Sequence, residues 1–129
     1  MKNILTYGTF DSLHWGHIKL LKKAKEMGDY LYVGVSTDEF NEIKGKKSIF
    51  NEIERVKLLE DVPYVDEIIM ENDWAQKEKD IEKYGIDILV MGEDWEGEFN
   101  DLPCKVVYLP RTEGISTSKI KQRCLRRVI

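Results

Sequence analysis

Two kinds of hydrophobic periodicity alternate along this chain, and the alternation limits its fold more than any other sequence feature. Short apolar runs with β-branched residues are typical of strands, whereas apolar residues at every third or fourth position are typical of helices. The predicted strands are residues 3–7, 30–36, 65–70, 87–91 and 105–109. Helical spacing lies between them, which predicts βαβ units. We therefore expect an α/β fold: a Rossmann-like, doubly wound sheet of about five parallel strands with helices on both faces.

Four segments carry the helical spacing. They are the segment with Ile18, Leu21 and Ala24, the segment with Val56, Leu59 and Glu60, residues 74–84, and a final segment from Ser116. Gly28 and Gly85 follow two of these segments and fit helix C-caps.

Size and charge exclude several functional classes. The chain has 129 residues, 42% of them hydrophobic, which suffices for one domain spanning residues 1–129. Its formal net charge of -4 favours neither nucleic acid nor an anionic membrane as a partner. Apolar runs fall short of the ~20 residues that span a bilayer, and the N-terminus leads into a strand instead of a signal peptide. Cys104 and Cys124 lack metal-site spacing, so we expect ordinary thiols in a cytoplasmic protein.

Both histidines of the chain lie in one stretch, TYGTFDSLHWGH at residues 6–17. This stretch follows the first predicted strand, where doubly wound sheets bind their ligands. Gly8 lets a ligand approach the backbone, and Gly16 leaves the amides of the helix N-terminus open to an anion. His14 and His17 share one side of the first helical turn, where both can donate hydrogen bonds to a phosphate. Metal binding is the weaker alternative, because zinc needs a third ligand that neither HExxH spacing nor a cysteine pair supplies.

Charged clusters follow two other predicted strands. The sequence KGKK at residues 44–47 comes after the second strand, with Arg55 in the next helix, and these cations could neutralise a phosphomonoester. The turn GEDW at residues 92–95 comes after the fourth strand, and its carboxylates could accept hydrogen bonds from ribose hydroxyls or a cytosine amine. Solvated surface is the alternative for both clusters.

A further candidate lies after the fifth strand. Arg111 presents a planar fork of donors that suits phosphate oxygens, and Gly114 lets its loop bend toward them. Ser116 is a plausible N-cap for the last helix, whose amides would face the same phosphates. The alternative is a surface turn that caps a helix.

These motifs together resemble a known family. The segment GTFD at residues 8–11 with HWGH at 14–17 resembles the signature of the HxGH nucleotidyltransferases, and RTEGISTS at 111–118 resembles the second motif of their cytidylyltransferase branch. Three more segments are similar to the small bacterial glycerol-3-phosphate cytidylyltransferases: residues 36–41, 90–97 and 108–110. The resemblance implies a homodimeric enzyme that joins CTP and glycerol 3-phosphate to give CDP-glycerol and pyrophosphate for teichoic acid synthesis. It also implies Mg²⁺, or another divalent cation, with the CTP.

The resemblance assigns roles to individual residues. It implies catalytic roles for His14, His17, Lys44 and Arg111. It implies nucleotide contacts for Gly8, Thr9, Phe10, His14, His17, Gly92, Asp94, Arg111, Thr112, Ser116 and Thr117. It implies substrate contacts for Asp11, Asp38, Lys44, Lys46, Arg55 and Trp74, and no protein-held metal.

Some points stay open at the level of sequence. Pro63 stands where members of the family commonly carry arginine, so a cation expected near the glycerol phosphate is missing. Trp74 could be a core residue instead of a pocket wall. The functional alternatives are another acceptor such as phosphocholine or phosphoethanolamine, an adenylyltransferase of the same superfamily, and a nucleotide-binding module without turnover.

Overall fold

A computed structural model describes residues 1–11, 13–45 and 47–110 of the chain. Strands and helices alternate along most of it. In chain order they are β1 (Asn3–Gly8), α1 (Trp15–Glu26), β2 (Tyr30–Ser36), α2 (Asp38–Ile43), α3 (Glu52–Glu60), β3 (Glu67–Glu71), α4 (Gln76–Tyr84), β4 (Ile88–Gly92), a 3₁₀ turn (Glu93–Trp95) and β5 (Lys105–Leu109).

The five strands form one all-parallel sheet in the order β3-β2-β1-β4-β5. This confirms the predicted Rossmann-like fold. The central strand β1 pairs with β2 on one side and β4 on the other, with Thr6 opposite both Val33 and Val90. The chain reverses its direction of winding at β1, so the loops after β1 and β4 border the crevice where such sheets bind ligands.

Successive residues of the strands point to opposite faces, and each face is covered. Ile4 lies in a cluster with Leu21 of α1 and Leu59 of α3, whereas its neighbour Leu5 packs in a second cluster with Ile81 of α4. The helices on both faces explain why the strands read as nearly continuous apolar runs.

The short helix α2 is absent from the sequence prediction. Its six residues are too few to show a helical period, but its start is well marked. The Thr37 side chain accepts a hydrogen bond from the Phe40 N–H, and Asp38 and Glu39 lie in the first turn, where the helix dipole favours anions.

The two glycines predicted as helix caps have different roles. Gly85 is the left-handed C-cap of α4, with φ of 59°, as predicted. The prediction for Gly28 was wrong, because α1 ends on Met27 in a right-handed conformation. A Cβ at Gly28 would lie 2.8 Å from the Ile4 side chain and from the Lys2 carbonyl oxygen, so close packing is what requires glycine there.

Across the described residues, the helices are too short or too polar to traverse a lipid bilayer.

Candidate active site

The loop after β1 contains a buried aromatic residue with an unusual backbone conformation. Phe10 adopts a left-handed conformation with φ of 51°, which is uncommon for a residue with a bulky side chain. Burial of its ring stabilises this backbone: the ring packs against Gly8, where a Cβ would come within 2.8 Å of it. The ring also meets His17 edge-on, with 5.3 Å between the ring centroids. Gly8 therefore makes room for Phe10, which in turn supports a histidine.

The two histidines cap the helix on which they lie. His14 is the N-cap of α1, and its Nδ1 accepts a hydrogen bond from the Gly16 N–H at 3.1 Å. His17 Nδ1 accepts in return from the His14 N–H at 3.4 Å. Two backbone N–H groups that a helix start leaves unpaired are thereby satisfied. The imidazoles stack face to face with their centroids 3.9 Å apart.

This capping fixes the chemistry of the rings. A neutral imidazole carries one N–H and one acceptor nitrogen, so a ring whose Nδ1 accepts carries its proton on Nε2. Burial lowers the pKa of His14 below its ordinary value of 6.5, which keeps that ring neutral near pH 7. His14 and His17 therefore form a stacked pair of Nε2–H donors at the carboxyl end of β1.

Arg55 connects the loops around this pair. Its side chain is fully buried, and its guanidinium donates to three backbone carbonyls: Phe50 at 3.1 Å, Thr9 at 2.9 Å and Ser36 at 2.6 Å. It also donates to the Asp38 carboxylate at 2.8 Å. The structure thus places Arg55 beneath the site, with its donors directed at the protein.

The two carboxylates predicted to contact substrate are also engaged by the protein. Asp11 accepts hydrogen bonds from the Ile49 and Phe50 N–H groups, both at 2.9 Å. Asp38 pairs with Arg55 and accepts from the Glu52 N–H at 3.2 Å. Burial opposes the charge of Asp38, but these hydrogen bonds outweigh it and hold the pKa of the carboxyl below its usual value.

An aromatic wall lies beside Lys44, the C-cap of α2. Trp74 is 51% exposed, which excludes the core alternative, and its ring meets Phe40 edge-on at 5.1 Å between centroids. The ring centroid of Trp95, in the 3₁₀ turn after β4, lies 6.4 Å from that of Trp74. The Lys44 ammonium lies 4.7 Å from the centroid of the Phe40 ring, a distance at which a cation is attracted to the ring face.

Lys77, which lies against this wall, was not predicted from the sequence. The Lys77 ammonium is almost fully buried, 2.8 Å from the Glu71 carboxylate and between the rings of Tyr7, Trp74 and Phe99. A signal was present: Lys77 shares the apolar side of α4 with Ile81, one turn away. Lysine at a core position of a helix indicates a buried partner.

Other predicted residues have less defined surroundings. Gly92 ends β4 with open space on its Cα side, and Asp94 is exposed in the following 3₁₀ turn. Pro63 is exposed in the turn between α3 and β3. The remaining predicted site residues lie outside the described residues: Lys46, Arg111, Thr112, Ser116 and Thr117.

Comparison with known proteins decides the family. Residues 5–123 match the family model described as cytidylyltransferase-like. The chain belongs to this family. It is 60% identical over 124 residues to a glycerol-3-phosphate cytidylyltransferase of Staphylococcus aureus, covering 95% of this chain and 94% of the relative. A Bacillus subtilis protein of the same name is also 60% identical, with 95% and 96% covered.

A solved structure supports the same fold for this cytidylyltransferase-like chain. The crystal structure of a lipopolysaccharide core biosynthesis protein from Thermoplasma volcanium superposes with a TM-score of 0.76 at 30% identity. The match covers 88% of this chain and 99% of the other.

The capping and donor functions of His14 can be separated by mutation. Asparagine is among the best N-cap residues, so His14→Asn should keep the unfolding free energy in urea near that of the wild type. His14→Ala loses the cap and should cost about 1 kcal/mol. Both variants lose the Nε2–H donor, and CTP-dependent pyrophosphate release should fall about 100-fold or more in each. Full activity in His14→Asn would show that the ring serves only as a cap.

Proposed function

We propose that this protein is a glycerol-3-phosphate cytidylyltransferase, which transfers CMP from CTP to sn-glycerol 3-phosphate and releases pyrophosphate. The observation that carries the proposal is the stacked pair of imidazoles at the carboxyl end of β1, with each Nδ1 turned to the backbone. The identity of 60% to two glycerol-3-phosphate cytidylyltransferases supports this acceptor.

The reaction sets few chemical demands on the protein. A phosphate oxygen of glycerol 3-phosphate attacks the α-phosphorus of CTP, a new P–O bond forms, and the bond to the bridging oxygen of pyrophosphate breaks. The nucleophile is already an anion, because the second pKa of a phosphate monoester is about 6. A strong general base is therefore unnecessary, and catalysis consists of positioning and charge stabilisation.

The histidine pair provides the charge stabilisation. Negative charge accumulates on the oxygens of the transferring group and of the leaving pyrophosphate. Two Nε2–H donors fixed in advance stabilise that charge without reorganising during the reaction. The start of α1 adds the positive end of a helix dipole at the same place.

Cations complete the site in our proposal. Lys44, beside the Phe40 ring, bridges the attacking phosphate and the α-phosphate. Lys46 contacts the acceptor, as the motif resemblance implies. Arg111 and Thr112 contact CTP, and Ser116 and Thr117 lie near its phosphates, as the motif resemblance implies. We assign Asp11, Asp38 and Arg55 to the support of these groups, since their charged atoms bind backbone and one another.

We propose that the divalent cation enters with CTP. Among residues 1–11, 13–45 and 47–110, there is no cluster of three or more His, Cys, Asp or Glu side chains that could hold a metal ion. Mg²⁺ is commonly bound through substrate phosphates with few protein ligands. When bound it neutralises charge on the pyrophosphate.

We also propose a homodimer in the cytoplasm. Ile43, Ile53 and Leu58 are large apolar side chains that are exposed on this chain, and a partner surface would cover them. Among the described residues, Cys104 is a free thiol, which suits a reducing compartment. Light scattering of the purified protein should give twice the chain mass of 15.1 kDa. A mass of one chain at micromolar concentration would contradict the dimer.

The proposed activity is tested by pyrophosphate release. CTP and ATP should be crossed, with Mg²⁺ present, against glycerol 3-phosphate, phosphocholine and phosphoethanolamine. We expect pyrophosphate release only with CTP and glycerol 3-phosphate. The motifs resemble those of the cytidylyltransferase branch, and the relatives that are 60% identical are named for glycerol 3-phosphate. Release with phosphocholine or phosphoethanolamine in its place would refute the acceptor and show that Pro63 accompanies a changed pocket. Binding of CTP without release in any combination would make the protein a nucleotide-binding module.

A further inference from the structure

A chain of hydrogen bonds joins the loop after β1, which leads to His14, to the loop between α2 and α3. Starting from the loop after β1, the Ser36 hydroxyl lies 3.3 Å from the Thr9 hydroxyl. The same Ser36 hydroxyl donates to Asn41 Oδ1 at 2.8 Å, and Asn41 Nδ2 donates to the Ser48 hydroxyl at 2.7 Å. Ser36 and Asn41 are fully buried. A buried side-chain amide fixes the positions of its hydrogen-bond partners, because a buried donor or acceptor without a partner costs free energy.

Ser48 lies in the loop between α2 and α3, which must hold a fixed position if its lysines are to bind a phosphate. We define the lysine loop as residues 44–50, of which residues 44, 45 and 47–50 are described, and its Gly45 is left-handed with φ of 73°. Glycine gives the backbone wide conformational freedom. At its far end the loop is held by Asp11, which binds the Ile49 and Phe50 N–H groups. The Asn41–Ser48 hydrogen bond holds the loop between these two points.

The position of this loop matters for the reaction proposed above. A cation holds the acceptor phosphate only when it lies within hydrogen-bond reach of the phosphate oxygens, so displacement of the loop weakens binding of the acceptor. A lysine side chain has four rotatable bonds, so the backbone of the loop must supply the precision. Ser36 ends β2 beside β1, which makes it a rigid reference point for the loop.

We propose that Asn41 is a positioning residue that ties the lysine loop, through Ser48, to the end of β2 and thereby sets the distance between the described part of that loop and the histidine pair. Nothing in this role requires Asn41 to touch substrate. The inference rests on the proposed function, because it assumes that the lysine loop meets the phosphate of the acceptor.

The test compares three variants by steady-state kinetics with CTP and glycerol 3-phosphate. Ser48→Ala removes one hydroxyl from a half-buried side chain and should raise the KM for glycerol 3-phosphate about tenfold, with the KM for CTP changed less than about twofold. Ser48→Thr keeps the hydroxyl and should restore the wild-type KM. Ile49→Ala is the matched control, since its side chain is 61% exposed on the same loop and should leave both KM values unchanged.

A double mutant separates the link from the two side chains. Asn41→Ala and Asn41→Ala/Ser48→Ala should show the same KM for glycerol 3-phosphate, because both variants lack the same hydrogen bond. A KM for glycerol 3-phosphate that rises in the double mutant by the product of the two single-mutant effects would overturn the proposal. So would an unchanged KM in Ser48→Ala, or a variant in which kcat falls while KM stays the same. Should Asn41→Ala fail to fold, the Ser48 variants decide alone. Absence of pyrophosphate release in the wild type would refute the proposed function, whereas wild-type activity with a normal KM in Ser48→Ala would refute this inference alone.

Discussion

The site depends on the hydrogen bonds that start the first helix. Most helices take their N-terminal caps from serine, threonine, aspartate or asparagine, but α1 takes its caps from two imidazoles. Because each Nδ1 accepts a hydrogen bond from the backbone, each ring carries its proton on Nε2. One local interaction therefore determines the start of α1, the tautomer of both rings and the direction in which they donate.

A second layer of polar contacts holds the rest of the site against this helix. Arg55 joins the loop after β1, the end of β2 and the loop before α3 through its carbonyl acceptors, and Asp11 binds two N–H groups of the last of these loops. A buried guanidinium with satisfied donors is costly to displace, since any movement leaves a charge unpaired in the interior. The crevice is accordingly built before substrate arrives, which suits a reaction that relies on positioning.

Much of this architecture could be predicted from the sequence, and the failures have physical reasons. Strand and helix periods predicted the sheet, and the spacing of His14 and His17 placed both rings on one turn. The Phe50 N–H that binds Asp11 and the Thr9 carbonyl that binds Arg55 are distant from them in sequence, so no periodicity reveals these contacts. Gly28 failed as a cap because the crowding that requires glycine comes from β1. The roles predicted for residues 111–117 lie outside the described residues.

The central claim is that the Nδ1 of each imidazole accepts a hydrogen bond from the backbone, which places the ring proton on Nε2. Long-range proton–nitrogen correlation NMR of the histidine rings measures this directly, with His14→Asn to assign the signals. At a pH well above 6.5, the account predicts Nε2–H for His14 and His17, and a titration of His14 that falls below 6.5. An Nδ1–H tautomer in either ring would contradict the capping geometry and, with it, the orientation of the donors on which the proposed chemistry depends.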